Sequence, residues 1–223
     1  MLIALFYVGL FLQLAGPPPL ARPGSELDLR RQEVRLLHLA LDRAALRSLL
    51  VWEPKIDALR DARPGEVVDD STPVMILHLW ATWCDPCKEE FPLWQKLGPR
   101  LMDQHSGKVR IAHVALQNDS SDMASFVQQM RGKLPFPTRH FDRKERLASA
   151  LRKALSGKHL TLPMTLILDR ERVVRQAIIG PISERRQELA ESTARLIQLI
   201  QQQDDAASRP KPAPDSIADV WSQ

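Results

Sequence analysis

The 223-residue chain is 44% hydrophobic, enough for one buried core with extensions at its ends. Its 31 Lys and Arg are interleaved with 27 Asp and Glu, so the net charge of +4 contains no single-sign block of the nucleic-acid-binding kind, and nucleic acid is not an expected partner. Only two cysteines are present, three positions apart, so no disulfide framework staples the fold and the pair must be read for its own chemistry.

Met1 to Gly16 is apolar apart from Gln13, and it then meets Pro17, Pro18 and Pro19, which end any helix. At about 1.5 Å per residue the segment reaches about 24 Å, short of the ~30 Å hydrocarbon core. Residues 1–24 therefore read as a signal peptide or short membrane anchor followed by a Pro-rich linker. Arg22, Arg30 and Arg31 follow the apolar run and no basic residue precedes it, the reverse of the usual charge bias for export. The expected location is the bacterial periplasm or the outer face of the cytoplasmic membrane, with the cytoplasm as the alternative.

Ser25, with Asp28 three positions on, has the form of a helix start. Val34, Leu37, Leu41, Ala44 and Ala45 share one helical face, which predicts an amphipathic helix to about Leu50 within an N-terminal helical extension, residues 25–72. Pro73 to Trp80 is an apolar run of strand length feeding directly into Cys84. A helix follows from Asp85 to about Met102, with a kink expected at Pro92. Val109 to Leu116 reads as a second strand, and Met123, Phe126, Val127 and Met130 repeat at helical spacing. The basic stretch Arg139 to Lys153 reads as the solvated face of a helix that Asp142 and Glu145 open and that turns Leu147, Ala150, Leu151 and Ala154 inward. Met164 to Leu168 and Arg172 to Ile179 form a hairpin pattern. Ser183 is placed to cap a last helix through Leu189, Leu196, Ile197 and Ile200, and residues 204–223 are expected to be a disordered tail. The βα alternation calls for an α/β domain at 73–203, a central sheet with helices on both faces.

The chemistry centres on Trp83-Cys84-Asp85-Pro86-Cys87. A C-x-x-C where a strand turns into a helix puts Cys84 at the helix N-terminus, where unpaired N–H groups and the helix dipole favour a thiolate. That thiolate can attack a partner disulfide, and Cys87, one turn in, can then resolve the mixed disulfide. Pro86 suits the first helical turn. Asp85 opposes the dipole by raising the thiol pKa, which points to a reductant more than a strong oxidant.

Residues 78–92, HLWATWCDPCKEEFP, resemble the active-site segment of the thioredoxin superfamily, and most closely its membrane-anchored TlpA/ResA-type reductants linked to cytochrome c maturation. The matching positions are Trp80, Ala81, Thr82, Trp83, Cys84, Pro86, Cys87, Lys88, Glu90 and Pro92, and a looser likeness runs from about Pro73 to Ile200, including a helical insertion near Ser121 to Met130. The resemblance implies a thioredoxin-like fold, a mixed sheet flanked by helices, and a thiol-disulfide oxidoreductase with no cofactor beyond the redox-active disulfide Cys84–Cys87 and no resident metal. It implies a cis-proline at Leu162-Pro163, with the Leu162 backbone open to a partner strand, and makes Trp83, Pro86, Leu162 and Pro163 the partner-binding residues. Glu90 matches an acidic residue beneath the pair that exchanges a proton with Cys87; the alternative is an exposed charge on the helix surface. Implied partners are protein disulfides or apo-cytochrome-type thiols, an upstream membrane electron donor, and the membrane through the N-terminal segment.

The chain also departs from that pattern. His78 stands where thioredoxin has a buried acid, and a lone His in an apolar strand reads first as a hydrogen-bonded core residue. No N-terminal strand hairpin is evident before Pro73, and Arg170-Glu171 replaces a glycine turn. A competing reading makes Cys84 and Cys87 copper or zinc ligands together with His78 and His113, although no second C-x-x-C or H-x-x-x-H completes a tetrahedral set.

Overall fold

The computed structural model describes residues 25–52, 59–61, 72–116, 119–129, 139–157 and 159–209. The expected signal or anchor segment, Met130, and most of the expected tail lie outside the described residues. The elements are α1 (Glu26–Leu36), α2 (Arg43–Arg47), β1 (Leu50–Trp52), β2 (Leu59–Asp61), β3 (Val74–Trp80), α3 (Asp85–Gln104) and β4 (Val109–Ala115). They continue as α4 (Ser120–Gln129), β5 (Arg139–Phe141), α5 (Arg146–Ala154), β6 (Met164–Leu168), β7 (Val174–Ile179), a 3-10 turn (Ile182–Glu184) and α6 (Arg186–Ser208).

The strands form one sheet in the order β2-β1-β5-β4-β3-β6-β7. Strand β3 runs parallel to β4 and antiparallel to β6, and all of its residues are buried. Its apolar run is unbroken because both faces are covered. Met75, Leu77 and Leu79 face a cluster with Leu36, Leu46, Leu147 and Leu151 from α1, α2 and α5. Val74 and Ile76 face Trp94 and Leu101 of α3 and Leu189, Ile197 and Ile200 of α6. The expected mixed sheet, helical insertion and helical extension are therefore all present.

The extension differs from its sequence pattern. Helix α1 is capped as expected, with Ser25 Oγ accepting the Asp28 amide at 3.3 Å. It ends at Leu36, however, because Leu37 is extended and His38 adopts a left-handed φ of 64°. Val34 is 67% exposed and Ala44 is exposed, whereas Gln32, Glu33 and Leu36 turn inward. The chain then runs along the sheet edge: the His38 amide donates to Val174 at 2.8 Å, Val174 to Leu39 at 2.9 Å, and Leu41 to Arg172 at 3.0 Å. Backbone pairing that covers the open edge of β7 outweighs continuation of the helix.

Other boundaries were set by tertiary pairing. A hairpin does precede Pro73, with β1 and β2 antiparallel and Leu50 opposite Asp61. It joins the sheet through β5, which occupies the start of the stretch read as a helix face; His140 and Phe141 are buried there beside Val114 and Ala115. Helix α5 begins at Arg146, and the Asp142 carboxylate accepts the Arg146 and Ala148 amides at 3.1 and 2.8 Å. Ala148 and Leu151 are buried, while Ala150 and Ala154 are half-buried. Arg172 lies in the β6–β7 turn at φ 65°, fully buried, donating to the Thr72 and Asp169 carbonyls. Ser183 belongs to the 3-10 turn rather than capping α6, which has no side-chain cap and continues past Gln203 to Ser208, where Arg170 pairs with Asp204 at 2.7 Å. Helix α3 is continuous through Pro92 and also Pro99. Among the described residues, no helix is long and apolar enough to cross a membrane.

If the extension is part of the domain core, Leu36→Ala should cost about 2–5 kcal/mol in urea unfolding, in a single transition. A separate early transition, or no loss, would mean that the extension folds apart from the domain.

Candidate active site

Strand β3 delivers the chain to the cysteine pair. After Trp80, whose carbonyl accepts the Leu116 amide at 2.7 Å, the backbone turns through Ala81, and the Cys84 amide donates to the Ala81 carbonyl at 3.1 Å. Cys84 is the N-cap of α3 in an extended conformation, and its Sγ accepts the Cys87 amide at 3.3 Å. The sulfur thus occupies the place a Ser or Asp oxygen takes in an ordinary cap, facing the unpaired amides of the first turn. Asp85 and Pro86 fill that turn, and Lys88 lies 2.5 Å from Asp85, offsetting part of its charge near the sulfur.

The two sulfurs are joined in a disulfide. Cys84 keeps 3% exposure and Cys87 none, so the cysteine one turn in is the more buried, as expected. Trp83 at 42% and Pro86 are exposed beside them. Beneath lie Trp80, Phe91, Met123, Phe126 and Phe141, with Trp80 5.2 Å from Phe91 and 5.4 Å from Phe126. Phe126 comes from α4, so the helical insertion closes one side of the cysteine pair.

The Leu162–Pro163 bond is cis, and half-buried Leu162 packs on the cluster that contains both cysteines. The Pro163 carbonyl accepts the Gly180 amide at 2.9 Å; Gly180 has φ 103°, which suits glycine alone.

Glu90 is not an exposed helix charge. It is 3% exposed, one turn beyond Cys87, and its Oε1 accepts the Ile182 amide. Its Oε2 lies 3.4 Å from His78 Nε2. His78 in turn is hydrogen-bonded through its Nδ1 to His113 Nδ1, 3.0 Å away, because β3 and β4 place the two residues opposite each other. Trp94 packs against both rings, 4.8 Å from His78 and 5.3 Å from His113. With His113 donating from Nδ1, His78 can present Nε2–H to the Glu90 carboxylate, so the tautomers of the two rings and the charge of Glu90 are linked. The β3–β4 register brings together the two histidines that the sequence offered as candidate metal ligands; nothing in the sequence pointed to Ile182 as the partner of Glu90. Among the described residues, no three of His, Cys, Asp and Glu are grouped to hold a metal ion.

Burial, then the charges of His78 and His140, hold the His113 imidazole well below its ordinary pKa. The unfolded chain therefore binds a proton that the folded chain refuses, and stability falls as pH drops through the ordinary imidazole range near 6.5. The urea midpoint should decline from about pH 7.5 to about pH 5.5, and His113→Gln should flatten that decline. An unchanged slope in the variant would show that His113 does not carry the effect.

Residues 66–177, half of the chain, match the model of the AhpC/TSA family. The thiol-disulfide oxidoreductase ResA of Oceanobacillus iheyensis is 30% identical over 125 residues, which span 49% of this chain and 62% of that protein. The sporulation thiol-disulfide oxidoreductase A of Bacillus subtilis is 30% identical over 111 residues, spanning 48% of this chain and 60% of that one. The crystal structure of StoA from Bacillus subtilis superimposes with a TM-score of 0.43 at 25% identity, covering 64% of this chain and 96% of that one. The chain thus spans about three fifths of the length of these two sequence relatives. That family match takes in β3, the cysteine pair and most of the sheet, and the chain belongs to the AhpC/TSA family.

Proposed function

We propose that the chain is a thiol-disulfide oxidoreductase that exchanges dithiol for disulfide with protein partners through Cys84 and Cys87. The observation that carries this reading is the Cys84–Cys87 disulfide with Cys84 as the N-cap of α3 and its sulfur on the helix amides. The names of the ResA and sporulation relatives support it. In the reducing direction, the Cys84 thiolate attacks one sulfur of a partner disulfide and the other partner sulfur leaves as a thiolate. Cys87 then loses its proton and attacks the Cys84 sulfur. That step releases the second partner thiol and leaves the Cys84–Cys87 disulfide, so two electrons have passed to the partner.

Glu90, buried one turn from Cys87, is the proposed acceptor of the Cys87 proton. Trp83 and Pro86 offer an exposed rim, and the Leu162 backbone beside Pro163 is the proposed strand-like docking edge for an extended partner segment. Asp85 beside Cys84 favours a reductant. An outward-facing location, with membrane-derived electrons and apo-cytochrome-type thiols as substrates, is the reading we favour, supported by the apolar run Met1 to Gly16. Apart from the cysteine pair, no cofactor is invoked.

Cys84→Ser should abolish reduction of insulin disulfides, and Cys87→Ser should accumulate mixed disulfides with partner proteins. Full activity in Cys84→Ser would overturn the mechanism. A reporter that matures only outside the cytoplasm, fused after Arg22, should be active; activity confined to a cytoplasm-only reporter would overturn the location.

A further inference from the structure

The segment from Ile179 to Arg185, between β7 and α6, touches both halves of the site and the N-terminal extension. In its middle, the Gly180 amide holds the Pro163 carbonyl at 2.9 Å, and the Ile182 amide holds the Glu90 carboxylate. At its ends it is gripped by a single side chain of α1. Glu33 Oε1 accepts the Ile179 amide at 2.8 Å, and both Glu33 oxygens accept from Arg185, the second at 3.3 Å. Arg30 adds a contact at 3.3 Å, so the Glu33 carboxylate, 8% exposed, is fully engaged.

A nearly buried carboxylate is costly unless paired, and Arg185 supplies the pairing. Arg185 does not depend on Glu33 alone, because Glu188 accepts from its Nε and Nη2 at 2.6 Å each. What Glu33 adds is therefore position: it fixes where the connector begins, at the last residue of the edge strand opposite Met164, and where it ends. Anchoring a short segment at both ends constrains the two amides between them.

We infer that Glu33 is a positioning residue of the redox site, setting the placement of the Pro163 backbone and the Glu90 carboxylate through residues 179–185. The consequence for turnover rests on the oxidoreductase reading; the mechanical coupling does not. Loss of the clamp displaces the edge at which a partner segment docks and loosens the carboxylate proposed to take the Cys87 proton. A small misplacement at such a distance from the chemistry is enough to slow a reaction that depends on alignment.

The test compares the full chain with Glu33→Ala, Glu33→Gln and Arg185→Gln, and with Asp204→Asn as a control in a remote surface pair. Amide hydrogen exchange by NMR should be about tenfold faster at Gly180 and Ile182 in Glu33→Ala, the scale of one lost charge-assisted hydrogen bond, with Leu77 of β3 unchanged. Insulin-disulfide reduction should lose about tenfold in kcat/KM, through a higher KM and a displaced pH profile. Glu33→Gln, which keeps an oxygen for the Ile179 amide, should fall between, and the control should match the parent. If Glu33→Ala fails to fold, Glu33→Gln and Arg185→Gln carry the same comparison. Unchanged exchange at Gly180 and Ile182, exchange accelerated equally at Leu77, or local loosening with an unaltered kcat/KM and pH profile would each overturn the inference. Local loosening in a chain whose parent reduces no disulfide would instead overturn the oxidoreductase reading.

Discussion

The head of helix α3 is the constraint on which the site depends. A helix begins with amides that have no partner, and in this chain a sulfur, not an oxygen, sits among them. The turn that puts it there is held from both sides, by the Trp80 carbonyl paired to Leu116 and by the Ala81 carbonyl paired to Cys84. Strand β3 can set that turn rigidly because every one of its residues is buried between two layers of helices. The sheet is therefore a mount for one sulfur as much as a core.

Charge lies unusually deep behind that sulfur. Glu90 and His78 are both essentially removed from water, and His113 extends the line through its Nδ1 hydrogen bond to His78. Such groups persist in an interior only when they answer one another, and here each has a polar neighbour within reach. The low affinity of His113 for a second proton keeps the pair from becoming doubly charged against Trp94. An apolar trio would pack at less cost, so the arrangement is consistent with the proton-handling role proposed for Glu90.

The N-terminal extension is built into the same architecture. It supplies Leu36, Leu46 and Leu49 to the core and lays backbone along β7, an edge that would otherwise offer unpaired amides and carbonyls to other chains. Its inward-facing Glu33 reaches the connector that carries the partners of Pro163 and Glu90. The exposed face of the helix, including Val34, is left over from that docking.

Much of the site could be read from the sequence, since strand, C-x-x-C, first-turn proline and one-turn spacing to Glu90 are all local facts governed by backbone geometry. The same holds for β3, β4, α3 and the β6–β7 hairpin, whose apolar runs are long enough to declare their period. Three-residue strands carry no such period, so β1, β2 and β5 emerge only from pairing, and the helix face assigned to Arg139–Phe141 gave way to the register with β4. Whether Glu90 faces water or the interior, and whether Val34 or Glu33 turns inward, were also tertiary decisions. In each case a partner distant in sequence, Ile182 and His78 for Glu90, Ile179 and Arg185 for Glu33, fixed a choice that local periodicity leaves open.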